Sequence, residues 1–231
     1  RVFHCPGLGT GEFIGGRNGA FYFSEIKARI QIEHTLTEAL LRIDLVREQL
    51  RIAAGEALTM EQSDVRPSGH ALMCRVQAED PFHRFMPSPG HVRQARMPGG
   101  TEVRVETYIA SGVDVPPHYD PLLGTTTVWA PDRATCVSRM RRALEDFNLV
   151  GTHTNIPLLM RVLRSPAFVA GEYATDLLRH LPENDSPDYE RVRRDLAVAA
   201  AVLYARRREA VNPQTPEQWV TGWHRASRNL G

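Results

Sequence analysis

The sequence predicts an α+β fold, in which an antiparallel sheet packs against helices. Apolar and polar side chains alternate along Phe21–Glu33, as they do in a strand, and further extended segments lie between residues 70 and 130. Apolar residues at helical spacing fill two other stretches, residues 36–54 and 131–147. Turns rich in glycine and proline separate these runs, so neighbouring strands can pair in an antiparallel sheet.

Composition and charge are those of a soluble globular protein. The chain has 231 residues, 42% apolar and 24% charged, enough for one large or two modest domains without disulfides or a structural metal. Its 28 basic and 27 acidic residues give a net charge of +1, which argues against nucleic acid or an anionic membrane as a partner. No apolar run approaches the roughly 20 residues of a membrane-spanning helix, and no signal peptide opens the chain, so we expect a cytoplasmic protein. The three cysteines are far apart, which predicts reduced thiols.

The alternating segment predicts a β-hairpin with one charged face. Gly11–Ile14 and Phe21–Glu33 flank a glycine-rich turn and are expected to pair, which brings Glu12 close to Glu25. One face of the longer strand carries charged and amide side chains, and the other is expected to pack on the core. The charged face comprises Glu25, Lys27, Arg29, Gln31 and Glu33, and the apolar face comprises Ile26, Ala28, Ile30 and Ile32.

Helices and further strands follow the hairpin. Thr35–Glu38 has the pattern of a capping box, helical spacing continues to about Gly55, and Asp44 offers a second N-cap at which the helix can restart. The pattern turns extended near residue 67, where we place a subdomain boundary. Strands are then predicted at Ala71–Ala78, His91–Met97, Glu102–Ala110 and Leu122–Ala130, and helices at Pro131–Phe147, Asn155–Leu163 and Pro187 to about Val211, before a linker-like tail, Pro213–Gly231.

The charged strand face is the strongest functional signal. A polar strand face normally turns to solvent, but this row continues over five positions and holds Lys27, the only lysine of the chain. Paired carboxylates from Glu12 and Glu25 suit a magnesium ion, whose other positions are left to phosphates and water. Arg29 offers a planar fork for a small oxyanion and Glu33 a base beside it, which predicts phosphoryl transfer or carboxylate activation.

The run from Glu25 to Glu38, EIKARIQIEHTLTE, resembles the E-x-N-x-R-x-Q-V-E-H-x-V-T-E signature of biotin carboxylases, within the ATP-grasp superfamily. Similarity to that family is nearly continuous from Gly9 to about Leu178. Its main blocks are Ile43–Glu56, Gly69–Pro81, Pro87–Gly90, Val103–Gly112, Val115–Asp120 and Arg139–Phe147. The resemblance implies an ATP-dependent ligase that carboxylates biotin by way of carboxyphosphate.

The resemblance also implies which part of such an enzyme this is. Residues 1–66 correspond to the end of the ATP-grasp domain, residues 67–180 to the biotin carboxylase C-terminal subdomain, and residues 181–231 to a long linker helix and the start of a following region. The family's N-terminal subdomain and lid are missing from these residues, and the first residue is arginine. We therefore expect a C-terminal piece that folds but does not turn over alone.

Site residues follow from the resemblance position by position. It implies that Glu12 and Glu25 hold magnesium or manganese against the ATP phosphates. It also implies that Arg29, Gln31 and the Ile32 backbone bind bicarbonate and that Glu33 is the general base. Arg104 would stabilise the biotin enolate. Ile14 and Thr175 would contact the adenine of ATP. Partners implied are a biotin carboxyl carrier protein or domain, a carboxyltransferase component, as in acyl-CoA carboxylases of fatty acid biosynthesis, and a second copy bound through residues 67–180, near Trp129 and Arg133.

Three positions depart from the family pattern. Lys27 stands in place of a metal-binding asparagine, a lysine of the family is replaced within the segment Asp120–Thr126, and Val150 stands in place of an acidic residue. An ammonium at position 27 would pair with Glu25 and repel a magnesium ion. The alternative hypothesis is therefore a catalytically degenerate homologue that serves as an assembly or regulatory subunit.

Overall fold

A computed structural model describes residues 7–16, 18–181 and 189–210 of the chain, which divides after Leu181 into two compact units. The strands of the first unit are β1 (Thr10–Gly15), β2 (Phe21–Lys27), β3 (His70–Gln77), β4 (Glu79–Asp80), β5 (Met86–Pro87), β6 (Gly90–His91), β7 (Gln94–Arg96), β8 (Val103–Thr107), β9 (Asp114–Val115), β10 (Leu122–Ala130) and β11 (Asn148–Val150). Its helices are α1 (His34–Leu41), α2 (Leu45–Ala53), α3 (Arg133–Asp146), α4 (Ile156–Arg164), α5 (Pro166–Ala170) and α6 (Leu177–His180), with a short 3-10 turn at Gln62–Asp64. The second unit contributes α7 (Tyr189–Ala210).

A three-stranded antiparallel sheet, in the order β3-β10-β8, forms the centre of the first unit. β10 is its middle strand, and residues 123–128 of this strand are buried. Successive side chains point to opposite faces: Val128 joins Met140 of α3 in the hydrophobic core, whereas Thr127 bonds to Thr35 of α1. Helices therefore cover both faces of the sheet, which confirms the predicted α+β fold.

Most predicted elements occur where the sequence places them. The strands predicted at Ala71–Ala78, Glu102–Ala110 and Leu122–Ala130 correspond to β3, β8 and β10, and the helices predicted at Pro131–Phe147 and Asn155–Leu163 correspond to α3 and α4. Asp44 caps α2 by accepting a hydrogen bond from the backbone nitrogen of Arg47 at 2.8 Å. Cys74 and Cys136 are free and buried, and burial raises the pKa of the Cys74 thiol to about 12.

The charged strand is shorter than predicted, and its apolar face is not buried. β1 and β2 pair as expected, with Glu12 opposite Glu25, but pairing starts at Thr10 opposite Lys27, so β2 has no β1 partner beyond Lys27. Residues 28–33 form bends and a turn instead of strand. On the apolar face Ile26 is 48% exposed. The alternation therefore predicts the hairpin correctly but not its length or its burial.

The capping box predicted at Thr35–Glu38 is wrong. With Thr35 as its N-cap the helix would begin at Leu36, but α1 begins two residues earlier, at His34, and no side chain caps it. The Thr35 hydroxyl is buried and lies 2.7 Å from the Thr127 hydroxyl, and the Glu38 carboxylate accepts a hydrogen bond from the Leu45 nitrogen. Both side chains are held by tertiary contacts, which compete with a local cap.

The strand predicted at His91–Met97 is broken into β6 and β7. Between them the backbone changes partner, since the nitrogen of Val92 donates to Val113 and that of Arg93 donates to Val150. β6 pairs with β9 and β7 pairs with β11. The segment between β7 and β8, residues 97–102, therefore does not join two strands that pair with each other.

α7 accounts for most of the helix predicted from Pro187 to about Val211. Its apolar side chains are exposed, including Leu196 and Leu203, at 65% and 67%. The predicted start at Pro187 and the tail Pro213–Gly231 lie outside the described residues. No helix in the described ranges combines the length and apolar character needed to cross a membrane.

Candidate active site

The β1–β2 hairpin places two carboxylates around one ammonium group. Glu12 and Glu25 face each other across the strands, and Lys27 lies two positions beyond Glu25 on the same face. Lys27 Nζ donates to Glu12 Oε1 and lies 3.0 Å from Glu25 Oε1. Gln31 Nε2 also donates to Glu12 Oε1, at 2.8 Å. One carboxylate oxygen of Glu12 thus accepts two hydrogen bonds.

These contacts fix the charges of the group. The hydrogen bond from Lys27, followed by that from Gln31, lowers the pKa of Glu12 from its ordinary 4.5 to about 2. The bonds to Glu12 and then Glu25 raise the pKa of Lys27. At neutral pH Glu12 is therefore an anion and Lys27 a cation.

The residues present fit a divalent metal at Glu12 and Glu25 poorly. Both carboxylates already converge on the Lys27 ammonium, and a second cation placed there would be repelled by it. Among the residues that the structure describes, no group of three or more His, Cys, Asp or Glu side chains could hold a metal ion. The implied role of these two glutamates as metal ligands stays a prediction.

A cavity of about 570 Å³ collects the implied bicarbonate cradle. The turn after β2 brings Arg29, Gln31, Ile32 and Glu33 to its wall beside Glu12. Its other lining residues are Lys27, Arg75, Gln77, Asp120 and Leu122. Three acidic and three basic side chains thus share the lining, which suits a small anion placed between guanidinium groups.

Arg75 on β3 is a site residue that sequence reasoning missed. Its Nη2 donates to Glu33 Oε1, so an arginine of the central sheet holds the candidate base. The sequence does contain a signal for this residue, because a charged side chain, Arg75, stands between the buried apolar residues Cys74 and Val76 of a strand. Only the fold shows that the end of the hairpin segment lies beside that strand.

Arg104 on β8 lines a different cavity, of about 830 Å³, whose walls also include Glu38, Thr127 and Trp129. Arg104 Nη1 donates to Glu38 Oε2 at 2.5 Å, and its Nε donates to Glu106 Oε1 at 3.0 Å. Partial burial alone would lower the pKa of Arg104, but the bonds to Glu38 and Glu106 raise it. The guanidinium is thus permanently charged and fixed in direction.

The two cavities adjoin the same short segment. Glu33 lines one of them, and the next two residues, His34 and Thr35, line the other. Arg75 and Arg104 lie opposite Thr125 and Thr127 of β10, and therefore on one face of the sheet, the face that α1 covers. The structure does not bring Arg104 to the wall of the cavity that holds Glu33.

Other predicted site positions lie elsewhere. Ile14 is 64% exposed on β1, Thr175 is exposed between α5 and α6, and neither lines the two cavities, so their adenine contacts stay predictions. Thr126 is buried in β10, and Val150 of β11 pairs with Gln94 of β7. Among Lys27, Thr126 and Val150, only Lys27 lines either cavity.

The candidate self-association residues have partners within the chain. The Arg42 guanidinium lies 4.1 Å from the centre of the Trp129 ring, and the Trp129 indole nitrogen donates to Ser68 at 2.8 Å. Arg133 Nη2 donates to the Phe168 carbonyl at 2.6 Å. Their role in a dimer stays a prediction.

Comparison with known proteins agrees with this architecture. Residues 73–180 match the biotin carboxylase C-terminal domain, and residues 1–61 match the ATP-binding domain of the carbamoyl-phosphate synthase L chain. The chain is 43% identical over 181 residues to a biotin carboxylase of Nostoc sp., covering 78% of this chain and 40% of that protein. It is 46% identical over 165 residues to a biotin carboxylase of Pseudomonas aeruginosa, covering 71% of this chain and 36% of that protein.

Solved structures give the same result. The biotin carboxylase domain dimer of Hydrogenobacter thermophilus 2-oxoglutarate carboxylase, in complex with MgADP, ADP and bicarbonate, superposes with a TM-score of 0.74 at 40% identity. The match covers 77% of this chain and 40% of that one. Residues 73–180 belong to the biotin carboxylase C-terminal domain family, and the chain spans about 40% of the length of the relatives it matches.

Proposed function

We propose that this chain is the C-terminal portion of a biotin carboxylase that uses ATP and bicarbonate to carboxylate biotin on a carrier protein or domain. The supporting observation is the cavity that collects Arg29, Gln31, Ile32 and Glu33, in a chain of this family. We keep residues 1–66, 67–180 and 181–231 as the proposed divisions of the chain.

In this proposal Glu33 is the general base that removes the proton of bicarbonate. Its Oε1 pairs with Arg75, which orients the carboxylate and leaves Oε2 for the proton. The Arg29 guanidinium, with the Gln31 amide and the Ile32 backbone, holds the resulting anion in line with the terminal phosphate of ATP. Attack on that phosphate gives carboxyphosphate and ADP, and carboxyphosphate then gives carbon dioxide and phosphate.

Arg104 is proposed to act in the second stage. When the ureido nitrogen of biotin gives its proton to the phosphate released from carboxyphosphate, negative charge develops on the ureido oxygen and a fixed guanidinium stabilises it. The nitrogen then attacks carbon dioxide to give carboxybiotin. The bonds from Arg104 to Glu38 and Glu106 hold the guanidinium in place before the charge forms. Because Arg104 lies outside the cavity of Glu33, the two stages would use adjoining sites.

Cofactors and partners complete the proposal. Magnesium or manganese would arrive with the ATP phosphates, since Glu12 and Glu25 already share the Lys27 ammonium. The carrier and a carboxyltransferase, as in the acyl-CoA carboxylases of fatty acid biosynthesis, are the proposed partners, and the cytoplasm is the proposed location. The Hydrogenobacter domain, described as a dimer, supports self-association, and residues 67–180 are the proposed contact region.

Bicarbonate-dependent ATP cleavage by the whole protein, made from its complete reading frame and supplied with free biotin, tests this proposal. We expect Glu33→Gln to lower the rate about 10²-fold to 10⁴-fold and Arg104→Ala about 10²-fold to 10³-fold. Glu145→Gln, which touches only the exposed pair with Arg164, is the control and should retain the rate. Normal turnover in Glu33→Gln and Arg104→Ala would disprove the assigned roles.

A catalytically degenerate homologue is the second candidate, because Lys27 occupies the position between the two carboxylates. On this alternative the whole protein acts in assembly or regulation and does not bind magnesium-ATP. Equilibrium binding of magnesium-ATP distinguishes the two: tight binding by the unaltered protein excludes the alternative. Binding that occurs only after Lys27→Asn supports it.

A further inference from the structure

We infer that the Lys27 ammonium is a resident cation that takes the place of a divalent metal ion between Glu12 and Glu25. The hairpin then binds no Mg²⁺ or Mn²⁺ of its own, and the only metal that reaches this site is carried by a phosphate ligand. The inference deepens the proposed function and rests on it only for the identity of that ligand.

The register of the hairpin creates the need for a cation. Glu12 and Glu25 are directly opposed across antiparallel strands, where side chains lie close and like charges destabilise the pairing. A register shift between Glu12 and Phe13 follows immediately, so the opposed pair lies beside an irregularity of the ladder, and three further pairs continue beyond it. A positive charge between the two carboxylates offsets their repulsion and stabilises the pairing here.

Lys27 supplies that charge from within the same hairpin. Its Nζ bonds to Glu12 Oε1 and lies 3.0 Å from Glu25 Oε1, so one ammonium bridges both carboxylates. An ammonium is a compact point charge with three donors, whereas a guanidinium is a wide planar fork. Lys27 is the only lysine in a chain that otherwise uses arginine. A compact cation therefore lies between these two opposed carboxylates.

One oxygen of each carboxylate is already engaged by the ammonium. Glu12 Oε1 accepts hydrogen bonds from both Lys27 and Gln31, so the positive ends of two N–H donors point at it. A metal ion bound to this oxygen would need to displace both donors, and magnesium in particular requires several well-placed oxygens. In the ranges that the structure covers, no third His, Cys, Asp or Glu joins the pair to complete such a set.

Titration of the chain with Mn²⁺ alone, followed by the EPR signal of the free ion, tests the inference without nucleotide, bicarbonate or biotin. We expect no stoichiometric Mn²⁺ site in the unaltered chain. Lys27→Met removes the charge and keeps the side-chain length, and it should raise the affinity of the hairpin for Mn²⁺ about tenfold or more over that of the unaltered chain. Adding Glu12→Gln or Glu25→Gln to Lys27→Met should remove this gain.

Arg142→Met is the matched control, because it removes one positive charge from the exposed surface of α3, away from the hairpin. It should bind Mn²⁺ no better than the unaltered chain. Stoichiometric binding by the unaltered chain that disappears in Glu25→Gln would overturn the inference, and so would a folded Lys27→Met chain with no gain. Circular dichroism checks whether Lys27→Met folds. If it does not, the Mn²⁺ titration of the unaltered chain alone decides the inference.

The outcomes separate this inference from the proposed function. The Mn²⁺ titration reports only whether the hairpin holds a metal, and bicarbonate-dependent ATP cleavage reports only whether the whole protein is a carboxylase. An active protein whose hairpin binds Mn²⁺ tightly would keep the function and disprove the resident cation. An inactive protein whose hairpin binds no Mn²⁺ would disprove the function and keep the resident cation.

Discussion

The β1–β2 hairpin and the β3-β10-β8 sheet are both antiparallel, yet they are stabilised differently. In the sheet, α1 and α3 cover the two faces, and Leu123 and Val128 are completely buried. In the hairpin, the apolar residues Phe13 and Phe21 are 59% and 78% exposed, and the strands are joined by backbone bonds and ion pairs. Alternation predicts which residues share a face of a strand, but burial depends on what packs against that face.

Truncation of one side chain in each region should give the largest difference. Leu123→Ala in β10 removes buried volume from a fully covered site and should lower the free energy of unfolding by about 2–5 kcal/mol. Ile26→Ala in β2 removes the same number of carbon atoms from a half-exposed position and should cost about 1 kcal/mol or less. Urea unfolding followed by circular dichroism measures both.

Equal losses for Leu123→Ala and Ile26→Ala would contradict the comparison. They would mean that the apolar face of the hairpin is as well packed as the sheet. A larger loss for Ile26→Ala would reverse it, and the hairpin would then be the better covered region.

The same contrast explains how much the sequence could predict. α3 was predictable because its apolar residues follow the helical period over fourteen residues, and β10 because Leu122–Ala130 is rich in apolar and β-branched residues. The facing of Glu12 and Glu25 was predictable because a glycine-rich turn separates two short strands. The end of β2 at Lys27 was not predictable. It is set by the point at which pairing with β1 stops, and no residue in the local sequence marks that point.

Contacts between distant segments account for the remaining differences in the site. Arg75 bonds to Glu33 from 42 positions away, and Arg104 bonds to Glu38 from 66 positions away. Such pairs depend on α1 lying across the central sheet, and a helical pattern alone does not specify which strand receives each side chain. The local rule for Thr35–Glu38 failed for the same reason, since both side chains are used in tertiary contacts.

The ion pair between Glu38 and Arg104 sharpens the comparison at a polar contact. Glu38 is 7% exposed and binds both Arg104 and the first backbone nitrogen of α2, so Glu38→Gln weakens two bonds at a buried position. We expect a loss of about 1–3 kcal/mol in the free energy of unfolding. Glu25→Gln in the exposed hairpin, whose carboxylate pairs with Lys27, should have a clearly smaller effect.

A double-mutant cycle assigns the loss to the pair. Arg104→Met combined with Glu38→Gln should cost less than the sum of the two single changes, because each single change leaves the other partner without its bond. Additive losses would show that Glu38 stabilises the fold through Leu45 alone. The same urea unfolding measurements supply all three values.

The smallest expected effect concerns pH and the hairpin. Because the pKa of Glu12 falls from 4.5 to about 2 in the folded chain, its contribution to stability is complete above about pH 4.5 and is lost as the pH falls toward 2. Lys27 is the largest cause of this shift, so Lys27→Met should return the Glu12 pKa toward its ordinary value. Carbon-13 NMR of the Glu12 carboxyl measures the midpoint in both chains. An unchanged midpoint would mean that Gln31 and the backbone hold the carboxylate, and that the hairpin does not depend on its ammonium.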